Sequence, residues 1–537
     1  MSETESFDYI IVGAGSAGCV LANRLTADGR FSVLLLEAGK RNSHPWFRIP
    51  LMTGKLLRGK AHNWFYHTEP EPNLNGRRLF WPRGKVLGGS SSINGMVYTR
   101  GLPLDYDIWA QTGLPGWSFD DVLPYFRRSE NYQGGANDRH GADGPMPVTR
   151  PEDPNPLYDA FLTAGREAGL PETDDFNGEN QEGVGRYHFN IANGRRHSSA
   201  AAFLLPALDR KNLEVRTEAQ TTRLLMQGQA VTGVEWRQGG DVRTAQARRE
   251  VILCGGVVNS PQLLMLSGIG PGEHLRSMGL DVVHDLPAVG QNLQDHLLVR
   301  VQHACRLPIT MHSLLRADRA VRAVVQAMLF GSGPASKFPL LTGALVKTRP
   351  ELDHPDIQCH FLPGLSTAAV RWNPFAKAGP DDGHGFFANA YQLRPESTGE
   401  LRLASADPFE APRITANYLA TETDRRTIRD AVKLLRRIFA QPAFDPYRDR
   451  ELSPGDGIQS NQEIDGWVRE TAESVFHPVG TCRMGVGADA VVDGNLQVHG
   501  IRGLRVVDAS VMPRMPSCNT HAPTVMIAEK AADAILA

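Results

Sequence analysis

The sequence predicts an α/β protein: a doubly wound domain, discontinuous in the chain, with a second domain inserted into it. Three observations predict this. A strand, a glycine-rich turn, a helix and a second strand follow one another within residues 8–37. A similar strand and helix close the chain, at Leu504–Asp508 and Pro523–Leu536. Between these ends, residues 305–475 switch to strand runs of alternating polarity. The expected division gives 1–155, 201–304 and 476–537 to the doubly wound domain. Residues 156–200 and 305–475 form the inserted one.

The elements follow in order. Asp8–Val12 is a short apolar, β-branched run and reads as a buried strand. Cys19–Leu25 has apolar residues at helical spacing, and Phe31–Leu36 is a second buried strand ending at Glu37. Asn75-Gly76 marks a tight turn. Pro156–Ala168 reads as a short helix, and Val251–Cys254 as another buried strand. Asp356–Phe361 and Gly399–Leu403 alternate, as in a sheet with one exposed face. A charged helix is expected over Glu422–Ala440. The closing helix carries Pro523 in its first turn and should hold Glu529 and Lys530 outside.

Gly13-x-Gly15-x-x-Gly18 lies between the first strand and its helix, which gives the pattern its meaning. Gly13 permits the turn, Gly15 lets backbone approach a pyrophosphate, and Gly18 lets helix pack on sheet. The N–H groups at Ser16 and Ala17 would then face the phosphates. Glu37 stands 19 residues past Gly18, placed for ribose hydroxyls. The loop alone does not choose between NAD and FAD.

Composition narrows the function. Charged residues are 22% and the net charge is -2, which argues against nucleic acid or an anionic membrane as the main partner. The acidic start predicts no secretory leader, and no run approaches ~18 apolar residues. Six scattered cysteines read as reduced thiols, so a cytoplasmic location is expected. His354, Asp356 and His360 share a strand face but span too far for one ion, so no metal is expected.

Four further segments resemble the glucose–methanol–choline oxidoreductases. They are Arg83–Val97 (RGKVLGGSSSINGMV), Gly255–Gly270 (GGVVNSPQLLMLSGIG), Gly290–His296 (GQNLQDH) and Phe476–Gly485 (FHPVGTCRMG). The tail, with Val507–Ser510 and Asn519–Thr524 (NTHAPT), completes the set in the right order. The resemblance implies FAD, held in the doubly wound domain, and a substrate domain on an antiparallel sheet. It implies cofactor contacts at Val86, Gly89, Ser90, Asn94, Gly95, Met96 and Val97, with Asp508, Ala509 and Thr524 from the tail; Thr221, outside the quoted segments, is expected to join them. Relatives that attach FAD covalently do so through a histidine in the 83–97 loop. Ile93 stands there, so the FAD should be non-covalent.

Alcohol oxidation removes a hydride and a proton, and the proton needs a base whose pKa lies near working pH. Histidine suits that task. The resemblance implies His477 as general base and His521 as the partner for the substrate oxygen, with roles that could be exchanged. The expected reaction takes a primary alcohol to an aldehyde and passes electrons to a quinone-like carrier or to dioxygen, the latter releasing hydrogen peroxide. A non-redox hydroxynitrile lyase and a flavin-binding non-enzyme are the alternatives outside that class, and the presence of both His477 and His521 speaks against the second. Segments 52–66 and 330–370 should line the substrate pocket. Phe338, Phe361, Trp372 and Phe375 favour an apolar substrate over choline.

Overall fold

A computed structural model describes residues 5–367, 370 and 383–537. Trp372 and Phe375, named above as pocket aromatics, lie outside the described residues.

Two seven-stranded sheets organise the chain. In the first, Leu213–Arg216, Val33–Leu36, Glu5–Val12 and Asp241–Leu253 run parallel, and Leu504–Val506 joins the far side of Asp241–Leu253 in parallel. The strand cores are buried on both faces, as parallel sheets require: Ile10, Ile11 and Leu34 are fully buried. Asp241–Leu253 is long enough to serve twice. Its first half pairs antiparallel with Ala230–Gln238, which in turn pairs with Ala219–Gln227.

Helix Ser16–Leu25 follows the glycine turn and packs on the closing helix, His521–Leu536. Gly18 lets the helix pack tightly on the turn, since a Cβ there would lie 1.9 Å from the Gly13 carbonyl oxygen. Glu529 was expected outside but is fully buried. Its carboxylate takes Arg24 Nη2 at 2.7 Å, Arg128 Nε at 2.9 Å and Ser129 Oγ at 3.0 Å. Removing one partner of such a buried pair costs about 3–5 kcal/mol. The closing helix starts two residues earlier than expected, because Pro523 is tolerated within a first turn whose N–H groups have no helical partner.

The second sheet is antiparallel throughout. Its order is Arg448–Ser453, Leu297–Cys305, Gly385–Gln392, Ile357–Leu362, Thr342–Val346 and Gly183–Arg186. The chain first enters this sheet at Gly183 and returns to it at Leu297. Glu400–Arg402 pairs instead with Arg413–Thr415 in a separate ribbon. The alternation in these strands does not mark a solvent face. Gly385–Gln392 is buried along its whole length. One face, with Phe361, Phe386 and Ala388, packs under helices Pro156–Glu167 and Glu422–Phe439. The other, with His360 and Asn389, turns toward a cavity.

Candidate active site

A cavity of about 450 Å³ runs from the glycine loop to the antiparallel sheet. At one end lie Gly13, Gly15, Ser16, Ala17 and Glu37. The wall there is largely backbone. Gly15 is the N-cap of its helix, with no side chain covering the first N–H groups. Gly89 approaches so closely that a Cβ would lie 2.8 Å from Gly15 Cα. Glu37 accepts from the backbone N–H of Ala14 at 2.9 Å and of Gly39 at 2.8 Å. Burial pushes its carboxyl up to about 7, opposed by those two bonds. Thr221 lines the same stretch, and its buried Oγ1 has no partner. A buried hydroxyl without a partner is costly unless a ligand satisfies it. Glycine backbone, an acid and an orphaned hydroxyl suit the adenosine and pyrophosphate of FAD.

Gly89, Ser90, Asn94, Gly95, Met96 and Val97 line the middle, facing Asp508, Ala509 and Thr524. Ile93 lines it too and offers no nucleophile. Two expected contacts do not reach the cavity wall. Gly18 serves helix packing, and Val86 is buried behind the wall with Phe47, Leu56 and Ile93. Asp508 accepts from Gly256 N–H at 2.9 Å, Ser260 Oγ at 2.6 Å and Ser510 N–H at 2.8 Å. It therefore braces the helix Gly256–Leu266.

The cavity's other end holds His477 and His521. His477 sits in a tightly fixed loop. Phe476 before it adopts φ +68°, a conformation rare outside glycine. Asp295 Oδ1 accepts the His477 N–H at 2.8 Å, and its Oδ2 takes the hydroxyls of Ser474 and Tyr418, each at 2.5 Å. Arg83 donates to the Phe476 carbonyl at 2.5 Å. Such local strain persists only where surroundings over-determine it.

The hydrogen-bond pattern assigns the tautomer of His477. His296 Nε2 lies 2.9 Å from the Leu393 carbonyl, which can only accept, so that nitrogen carries the proton. Burial lowers His296 to about 4, so its ring is neutral and Nδ1 is an acceptor. His477 Nδ1, 3.0 Å away, must donate to it. His477 Nε2 is thereby left unprotonated, and its lone pair accepts the Asn519 Nδ2–H at 3.2 Å. Asn519 is oriented by Thr99 Oγ1 at 2.9 Å and Gln358 Nε2 at 3.2 Å, both donating to its Oδ1. His477 itself is held well below the ordinary histidine value, first by burial, with the neighbouring His296, His360 and Arg83 disfavouring a further positive charge.

His521 lies in the same cavity but does not touch His477. Its Nδ1 donates to Asn190 Oδ1 at 3.2 Å, and its Nε2 is 2.9 Å from Ser199 Oγ. Burial, then Arg196, lowers it to about 4. His296 and Asn519 are the residues that motif reading did not single out. Both stood inside quoted segments, and neither has a sequence signal that names its contact.

A family model described as GMC oxidoreductase matches residues 7–298, and its C-terminal companion matches 395–528. An oxygen-dependent choline dehydrogenase of Chromohalobacter salexigens is 47% identical over 540 residues, covering 100% of this chain and 96% of that protein. A mitochondrial choline dehydrogenase of Mus musculus is 46% identical, covering 99% and 89%. Among solved structures, a pyridoxine 4-oxidase from Mesorbium loti shares 33% identity with a TM-score of 0.87, covering 98% of each chain. A formate oxidase of Aspergillus oryzae shares 29% with a TM-score of 0.91, covering 100% and 99%.

Proposed function

The chain belongs to the GMC oxidoreductase family, FAD-dependent enzymes acting on CH–OH donors, and from that premise we propose that it oxidises a primary alcohol to an aldehyde with His477 as general base. The observation that carries this reading is the unprotonated Nε2 of His477, left as the acceptor by the His296 contact. Bound in the cavity, FAD supplies a hydride acceptor at its N5. The chain's own residues handle the proton and the developing charge. The substrate hydroxyl proton passes to His477 Nε2 while Nδ1–H stays on His296. The Asn519 amide N–H stands beside that atom and meets the oxygen as it gains charge. His521 spends its Nδ1–H on Asn190, so it serves as a wall of the oxygen site and as the second histidine of the pair. The N-terminus of helix His521–Leu536 places a positive backbone dipole at the same place.

The proposed domain division follows the sheets: the parallel sheet and its helices hold FAD, and the antiparallel sheet walls the substrate end. The electrons leave for a non-nicotinamide acceptor. The relatives' name, oxygen-dependent choline dehydrogenase, supports dioxygen beside a quinone-like carrier. Anaerobic mixing with primary alcohols tests the reaction, since turnover bleaches the flavin. A flavin that stays oxidised while substrate is cleaved would favour a lyase. Reoxidation by air against a quinone analogue, with peroxide measured, separates the acceptors. Among the described residues, no helix is long and apolar enough to cross a membrane.

A further inference from the structure

The substrate end of the cavity is walled by three residues in one cross-strand row. Arg300 pairs directly with Asn389, and Asn389 with His360, on neighbouring strands. All three line the cavity. Residues in such a row share one face of the sheet.

Arg300 and Asn389 present donors, and the His360 ring bonds the Asn389 side chain beside them. Asn389 Oδ1 is taken by the backbone N–H of His360 at 3.2 Å, which leaves its amide N–H groups for the cavity. Gln358 Nε2 donates to His360 Nε2 at 3.2 Å, which puts the ring proton on Nδ1. Arg300 has only donors, and its Nη2 meets the half-exposed carboxylate of Glu473 at 2.7 Å. A wall of donors around a guanidinium fork recognises an acceptor-rich anion, above all a carboxylate.

Apart from Glu473, which pairs with Arg300 and does not itself line the cavity, the carboxylates lie elsewhere. Among the described residues, those lining the cavity are Glu37 and Asp508, and both are engaged by backbone N–H groups away from this wall. A quaternary ammonium would meet Arg300 here rather than an aromatic and acidic cage. The row stands two residues along its strand from Tyr391, whose ring centroid is 5.8 Å from that of His477. Two strand residues span ~7 Å, which suits a short chain.

We propose that Arg300, Asn389 and His360 form a subsite for a carboxylate carried by the alcohol, so that the substrate is a short hydroxy acid and not choline. This rests on the alcohol-oxidation reading given above.

The FAD-loaded protein is mixed anaerobically with 4-hydroxybutanoate, 1-pentanol and choline, and flavin reduction is followed. The limiting rate over Kd is expected to be at least about tenfold higher for the hydroxy acid than for pentanol, with choline lowest. In Arg300→Gln that preference falls at least about tenfold, and Arg300→Lys keeps part of it. Butanoate, which cannot be oxidised, binds correspondingly more weakly to Arg300→Gln, read from the flavin spectrum. Flavin content checks that each variant is folded. Preference for choline or pentanol, or a ratio unmoved in Arg300→Gln, overturns the subsite and leaves alcohol oxidation standing. If no alcohol reduces the flavin, the alcohol reading falls. Weakened butanoate binding in Arg300→Gln then upholds the anion site, and unchanged binding overturns it.

Discussion

The Nδ1 atom of His296 lies 3.0 Å from the Nδ1 atom of His477, and the two rings meet edge to face at 83°. His296 is anchored behind by the Leu393 carbonyl. It therefore acts through His477 as a positioning residue, fixing which nitrogen of that ring is basic.

His296→Leu removes the acceptor and frees His477 to carry its proton on Nε2. Flavin reduction should slow about tenfold or more with little change in KM, the mark of an interaction used in the transition state. His296→Gln can still accept from His477 and donate to Leu393, so it should recover most of the rate. Stopped-flow traces of the two variants check this. A Leu variant as fast as the parent would contradict the positioning role.

Asn519 and His521 separate by the same method. Asn519→Leu removes the N–H beside His477 Nε2 and should lower the reduction rate ~10²-fold, the scale of a lost oxyanion donor. His521→Asn keeps a polar wall and should cost less. The reverse order would assign the oxygen contact to His521.

What the sequence made legible is local. Gly13, Gly15 and Glu37 could be placed because a turn, a helix start and a strand end have sequence signatures. His477 and His521 stood in motifs, and both line the cavity. Their partners were hidden because His296 is 181 residues from His477, and only the pairing of segments 293–297 and 474–480 brings them together. The Arg300–Asn389–His360 row depends on strand register, which polarity alternation leaves open. The same alternation was read as a solvent face, since a wetted cavity and bulk water ask for the same residues. Glu529 looked like a surface charge, because its partners Arg24 and Arg128 lie 505 and 401 residues away in sequence.

The pH dependence has a definite sign. His477 is held well below 6.5, so its base form persists at neutral pH. The reduction rate should stay flat from pH 8 to 6.5 and fall only in more acid solution. A midpoint at or above the ordinary histidine value would contradict this.

Stability follows from the other buried groups. His188, His296, His360 and His521 are each lowered to about 4 by burial. The unfolded chain binds those protons first, so their stabilisation is complete above 6.5 and is lost as pH falls toward 4. Glu37 and Asp295 are raised to about 7 and about 6, so their contribution is complete at low pH and lost as pH rises through those values. Burial also lowers His197, His303 and His477 and raises Glu71, Asp105, Asp356 and Asp508; with the histidines dominating, the thermal midpoint should drop between pH 6.5 and 4. A midpoint that rises on acidification would show the acids to dominate.

Ile93 lines the cavity without a nucleophile. Acid precipitation should leave all the flavin in the supernatant. Yellow colour retained by the pellet would contradict non-covalent binding.

The central claim is that His477 takes the hydroxyl proton as the alcohol is oxidised. Anaerobic flavin reduction by a primary alcohol, in the parent and in His477→Ala, tests it most directly. The account predicts a loss of at least ~10²-fold in the limiting rate, with flavin content unchanged. Near-parental reduction in His477→Ala would contradict it.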